Sequence, residues 1–176
     1  MMPIRAITYV SEACPAISGC DPGKGTELLD RVVDDAARFN RDAGVSGVLL
    51  FDGCRFLQYM EGPADGLRVA YSRVIGASSH GELIELQRGR VGQRRVPFWP
   101  MRWLPVEPQV LSRLAGSDWT GFKQRGDSGA LNATAMDILV ALVEPHAQVA
   151  WSQGTASRES QPLECGTGVA VSNAMK

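Results

Sequence analysis

The stretch VSGVLLFDGCRFLQYMEG, residues 45–62, decides the fold: two apolar runs flank Asp52-Gly53, a dipeptide that favours the tight turn of a β-hairpin. Alternation along the second run puts Phe56, Gln58 and Met60 on one face of the sheet. Gln58 is the misfit in that trio. A buried primary amide needs partners for two N–H donors and a carbonyl acceptor, and each group left unpaired costs about 1–3 kcal/mol.

Outward from the hairpin, IRAITYVS (4–11) alternates as a strand, with Ile4, Ala6, Thr8 and Val10 on one face and Arg5, Ile7, Tyr9 and Ser11 on the other. EACPAISGCDPGKGT reads as loop. A helix is predicted from Thr26, as N-cap, to about Asn40, with Leu29, Val32, Val33, Ala36 and Ala37 as its apolar stripe and Gly44 as its stop. PADGLRVAYSRVIGA predicts a second helix burying Leu67, Ala70, Tyr71 and Val74. ELIELQRGRV (82–91) and FWPMRWL (98–104) predict two more strands. The order is βαββαββ: an α+β, ferredoxin-like fold, with a five-stranded mixed sheet and two helices on one face.

After Leu104 the pattern changes. EPQVLSRLAG predicts a short helix and GALNATAMDILVALVEP a second, apolar nearly all round over 135–143. That segment has to pack on the domain or on another subunit, and it is the candidate surface for signalling or self-association. From Ser152 the chain is polar and without periodicity. The expected organisation is a domain over 1–104, a helical extension over 105–145 and a loosely ordered tail over 146–176.

With 176 residues, 44% hydrophobic and 21% charged, the chain can bury one sizeable core. A net charge of −1 gives no overall pull toward nucleic acid or anionic membrane. The N-terminus does not read as a signal peptide and no stretch is long enough to span a bilayer, so a cytoplasmic protein is expected. Cys14, Cys20, Cys54 and Cys165 form no CxxC pair and have only His80 and His146 for company, so no metal site is expected. Cys14 and Cys20 share a loop and could pair under oxidation, but reduced thiols fit a cytosol. GCDPGKG lacks the glycine spacing and the Ser/Thr of a phosphate-binding loop, although Lys24 near a helix start could touch a phosphate. The arginines of QRGRVGQRR with Arg102 form a basic cluster read as a solvated strand edge, not a nucleic-acid surface.

Three further polar residues join Gln58. At about 100° per residue from Leu29, Val33 falls near 40°, Ala36 near 340° and Asn40 near 20°, so an amide sits in the middle of an apolar stripe. Asn40 can equally be a C-terminal cap. Arg73 flanks the second helix's stripe, and Tyr9 shares a strand face with Ile7. Two amides, a guanidinium and a phenol on four elements can converge on one gap between helices and sheet, a set that suits a planar ligand with alternating carbonyls and ring nitrogens, such as a flavin.

ITYVS, FLQYMEGP, YSRVIG, His80 and RRVPFWPM, with Asn40 ahead of Ser46-Gly47, resemble in order the BLUF domain, a blue-light sensor using flavin, over nearly all of residues 3–104. The resemblance implies FAD as cofactor, with FMN or riboflavin as alternatives. It implies that Asn40 and Arg73 hydrogen-bond the ring, that Val74 lines it, and that His80 lies beside it. It places Gln58 between the flavin and Tyr9, with Ser11 nearby, and Trp99 or Met101, on the fifth strand, next to Gln58. Light would then draw an electron and a proton from Tyr9, and Gln58 would rearrange its hydrogen bonds. The output would be a red-shifted flavin and a signal through the fifth strand and C-terminal helices, to a partner protein or to the assembly state of a homo-oligomer. No enzymatic turnover is expected, since no cysteine–histidine or carboxylate pair stands at a usable spacing. The chain departs from the family pattern at Ala77-Ser78-Ser79, where an Asp and an Arg are common before the histidine. The rival readings are a non-photoactive interaction module and a small enzyme on the same fold.

Overall fold

In the computed structural model, which describes residues 3–19, 22–126 and 133–155, the hairpin joins β2 (Ser46–Phe51) to β3 (Arg55–Pro63), pairing Phe51 with Phe56. Gly53 takes φ +96°, and the Asp52 carboxylate closes the turn by accepting the N–H groups of Cys54 (2.9 Å) and Arg55 (2.7 Å). β3 also pairs antiparallel with β1 (Ile4–Ala13), and β1 with β4 (His80–Gly92). A fifth strand, β5 (Arg102–Pro105), runs parallel to β2, giving the order β4-β1-β3-β2-β5. This is the ferredoxin-like arrangement with one strand added at the β2 edge. Three register shifts interrupt the β1–β4 ladder, one of them at Leu86.

The fifth strand is shorter than the sequence predicts. Residues 98–101 lie outside it because Pro97 and Pro100 bring no N–H to a ladder. Together with residues 94–97 they form an irregular strap that touches β2, where the Gly47 N–H donates to the Trp99 carbonyl (2.9 Å). Gly47 also permits the close approach of β2 to β3, since a Cβ there would stand 2.5 Å from the Tyr59 carbonyl oxygen.

The first helical region also differs. A four-residue helix, α1 (Pro15–Ser18), interrupts the expected loop, and α2 runs Pro22–Asp42, so Thr26 lies inside the helix instead of capping it. Gly23, Lys24 and Gly25 are therefore helix, not a phosphate-binding loop. Gly44, at φ +65°, ends α2 as expected, with Val45 N–H donating to the Asn40 carbonyl (2.8 Å). Helix α3 (Ala64–Ile75) buries Leu67, Ala70 and Tyr71. Together α2 and α3 cover the sheet face that carries Ile7, Tyr9, Leu49, Phe56 and Met60.

The opposite face holds the larger core. Ala6, Val48, Leu50, Leu57 and Tyr59 pack there against α4 (Pro108–Ala115), a 3-10 turn (Thr120–Phe122) and α5 (Ala135–Thr155). The apolar segment 135–143 is thus spent on its own domain: Ala135, Met136 and Leu139 are fully buried and Val143 nearly so. Of its two expected placements, on the domain or on another subunit, the first is the one observed, so it no longer stands as the candidate surface for signalling or self-association. Asp137 and Thr134 close the start of α5 reciprocally, the Thr134 N–H donating to the Asp137 carboxylate (2.9 Å) and the Asp137 N–H to the Thr134 hydroxyl (3.2 Å), while the same carboxylate ties in the N–H groups of Arg125 and Gly126 (each 2.9 Å). Helix α5 continues through Pro145, which removes one internal hydrogen bond, to Thr155, well past the boundary expected at 145. The first ten residues of the tail expected over 146–176 are therefore helix; its remainder, 156–176, lies outside the described residues, as do Cys20 and Cys165.

Candidate functional site

Between α2, α3 and the sheet lies a cavity of about 390 Å³, within the size range of small-molecule sites. Its walls are apolar: Leu29 and Val33 from α2, Leu49 and Phe56 from the sheet, Ala70 and Val74 from α3. Tyr9, Gln58, Asn40, Arg73 and His80 set polar groups around it, and the 76–79 turn closes one side. Period-2 alternation on β1 and β3 and the helical stripe of α2 bring these residues together.

Gln58 forms the floor. Its Oε1 accepts a short hydrogen bond from the Tyr9 hydroxyl, and its Nε2 donates to the Met101 sulfur at 3.3 Å. The side chain is buried, as is the Tyr9 ring. Burial pushes the Tyr9 hydroxyl's pKa far above the ordinary phenol value, and the neighbouring Tyr71 adds to the shift, so Tyr9 stays protonated. The Tyr71 ring lies 6.0 Å from that of Tyr9 and donates its hydroxyl to Glu85 (3.0 Å).

Asn40 is fully helical and buried, and its Nδ2 donates to the Pro100 carbonyl at 2.7 Å. Since the backbone of Val45 already closes α2, the Asn40 side chain is not its cap; it ties α2 to the strap beside the cavity. The Arg73 guanidinium lies 4.5 Å from the centre of the Phe39 ring. The His80 ring stacks near Tyr9 (6.1 Å, 29°), and its Nδ1 is buried with no partner among the described residues.

Two predicted residues stand apart. Ser11 is buried but does not line the cavity, and its Oγ has no partner among the described residues. Trp99 packs toward the other face of the sheet, with the Arg102 guanidinium 4.8 Å from its ring, so Met101 alone of the pair touches Gln58. The sequence reading passed over Leu49, Phe56 and Ala70 as cavity walls. Phe56 shares a strand face with Gln58, Ala70 lies on the same helix stripe as Val74, and Leu49 stands opposite Gln58 on the neighbouring strand.

The cavity fits the isoalloxazine ring of a flavin. Its apolar walls suit a planar aromatic body, while the remaining N–H of Gln58, the Arg73 guanidinium and the orphaned His80 nitrogen offer polar contacts at its margins. Among the described residues no cluster of His, Cys, Asp and Glu could hold a metal ion. Nor is any described helix long and apolar enough to cross a membrane.

Residues 4–102 match the family model "BLUF: Sensors of blue-light using FAD". The chain belongs to the BLUF family. BLUF domains bind flavin and act as light sensors, not as catalysts. Among curated relatives, the blue light- and temperature-regulated antirepressor BluF of Escherichia coli (strain K12) is 33% identical over 58 residues, 33% of this chain and 14% of that protein. The photoactivated adenylate cyclase subunit beta of Euglena longa is 25% identical over 123 residues, 65% of this chain and 14% of that protein. This chain therefore spans a small part of either relative. Among solved structures, the dark-state BLUF protein BlrB superposes with a TM-score of 0.56 at 22% identity, covering 81% of this chain and 98% of BlrB, a likeness of fold.

Proposed function

We propose that this BLUF protein is a blue-light photoreceptor that holds FAD in the cavity between α2, α3 and the sheet, and that switches through the Tyr9–Gln58–Met101 contact. The continuous chain from phenol to amide to thioether on the cavity floor is the observation that carries this reading. Asn40 and Arg73 hold the ring from the two helices, Val74 packs on it, and His80 lies at its edge. Bound there, a flavin supplies the blue absorption and, once excited, the pull on an electron. FAD is preferred over FMN or riboflavin because the family is described by it; the residues named here address the shared ring.

Tyr9 is suited to its part because a buried, protonated phenol releases its electron together with its proton, and the proton has a path along the hydrogen bond to Gln58 Oε1. Gln58 is suited because its amide presents an acceptor on one side and a donor on the other. When electron and proton return to Tyr9, the change that persists is in the Gln58 hydrogen bonds, and the Nε2 contact to Met101 is the first to alter.

From Met101 the change enters β5, whose Arg102 donates to the His146 carbonyl of α5 (3.3 Å). It reaches a partner protein or a second copy of this chain, with residues 1–104 as sensor and 105–145 as relay, in the cytoplasm and without contact to nucleic acid or membrane.

Colour tests the proposal. Purified protein should be yellow and should shift reversibly to the red under blue light. Protein that stays colourless when flavin is supplied would sink it, in favour of a non-photoactive interaction module.

A further inference from the structure

β3 carries a second buried polar side chain, three residues beyond Gln58 and on the opposite face of the sheet. Glu61 is fully buried, and the hydrogen-bond partners of its carboxylate among the described residues are all donors. Oε1 accepts the N–H groups of Arg95 (3.0 Å) and Val96 (3.1 Å), while Oε2 accepts Arg95 N–H (2.8 Å) and the Tyr59 hydroxyl (2.9 Å). Three donors thus make four contacts, and both oxygens accept. Burial raises the Glu61 pKa above the ordinary carboxylate value, and the hydrogen bonds from Arg95, Val96 and Tyr59, with the charge of Arg94, limit the rise.

Arg94 completes the arrangement. Its guanidinium donates to the Ser46 hydroxyl, to the Glu61 backbone carbonyl (3.1 Å) and to the Gly44 carbonyl (2.5 Å). Residues 94–96 are thereby fastened to the ends of β2 and β3. The other end of the same strap is where Pro100 accepts from Asn40 and Met101 from Gln58. One strand thus grips the strap twice, through Glu61 at its start and through Gln58 at its end. Pro97 and Pro100 stiffen what lies between.

We propose that Glu61 is a positioning residue for the light response: its carboxylate anchors residues 94–96 and so sets where Met101 and Trp99 stand relative to Gln58. Bringing Trp99 to Gln58 by sliding the strap needs two residues of travel, roughly 7 Å along an extended chain. The Glu61 anchor forbids that travel and leaves only local rearrangement about Met101. This inference rests on the flavin reading for its light role, but the anchor itself does not.

Glu61→Gln puts an amide N–H₂ against the backbone donors while barely changing volume. Hydrogen exchange of the amides of residues 95–101, measured on the full chain, should accelerate about tenfold. In flavin-loaded protein the variant should retain flavin like the wild type, because the cavity lies across the sheet, yet recover in the dark at a rate changed about threefold or more. Tyr59→Phe, which removes one donor, should move both readouts the same way by less.

Native exchange at 95–101 in the Glu61 variant would overturn the anchor; fast exchange with native dark recovery would overturn its light role. If Glu61→Gln does not fold, Arg94→Lys, which keeps the charge and loses the forked contacts, is read against the same two outcomes. A wild-type protein that takes up no flavin would overturn the photoreceptor proposal and the light role together, while exchange in the apoprotein still decides the anchor.

Discussion

On the face of the sheet that meets α2 and α3, Gln58 and His80 turn polar atoms toward a cavity, whereas on the face that meets α4 and α5 the Glu61 carboxylate has every oxygen engaged by its own chain. Both faces bury polar groups amid apolar ones. Only the first leaves a space beside them, and its groups suit a planar ring; the second is solid, and its groups serve architecture. Burial of a polar side chain is therefore not by itself the mark of a binding site. Unspent hydrogen-bonding capacity around a void is.

Substitutions on the two faces should separate these roles. The largest effect is expected from Gln58→Leu, which should keep the flavin and abolish the normal red shift, because only the switching amide is removed; a light-minus-dark absorption spectrum checks it, and a normal photocycle would show the role to be misassigned. On the solid face, Leu139→Ala should cost about 2–5 kcal/mol of stability, read from urea melts, while the spectrum of the folded fraction stays native. A spectral change from that variant would mean that the two faces are coupled more tightly than the contrast allows.

Asn40→Ala should weaken flavin retention about tenfold, the loss of one hydrogen-bonding group worth roughly 1.4 kcal/mol. Flavin-to-protein ratios after dialysis measure it, and unchanged binding would confine Asn40 to tying α2 to Pro100. The smallest effect belongs to neither face. Burial alone would raise the Asp52 pKa, but the hydrogen bonds from Cys54 and Arg55 and the Arg55 charge bring it below the usual carboxylate value. A carboxylate with a lowered folded pKa gives stability that is present above the unfolded value and lost as pH falls through the folded one. Asp52→Asn should therefore cost about 1 kcal/mol at neutral pH, with wild type and variant converging in strong acid when melts are compared.

The sheet and both covering helices were legible because their apolar periods are clean, Gln58 and Asn40 because each breaks such a period, and Arg73 because it flanks one. The strap was not. FWPMRWL has the composition of a strand, and only the two prolines, which cannot donate to a ladder, say that most of it is something else. Trp99 and Met101 were consequently read on one strand beside Gln58, whereas the bent strap sends them to different sides. Glu61 went unread although it raises the same question as Gln58: alternation lines it up with Leu57 and Tyr59, an acid among apolar neighbours. The reach of α5 past Pro145 could not be seen in its residues, since a proline followed by mixed polarity usually reads as an end.

β4 has one side of its backbone facing away from the sheet along thirteen residues, a length that would ordinarily invite another chain to add a strand. Its register shifts break that rim into short pieces, and Arg88 and Arg90 add charge along it. The edge is a poor template for growth. Irregularity and charge thus guard the rim of the sheet against strand addition.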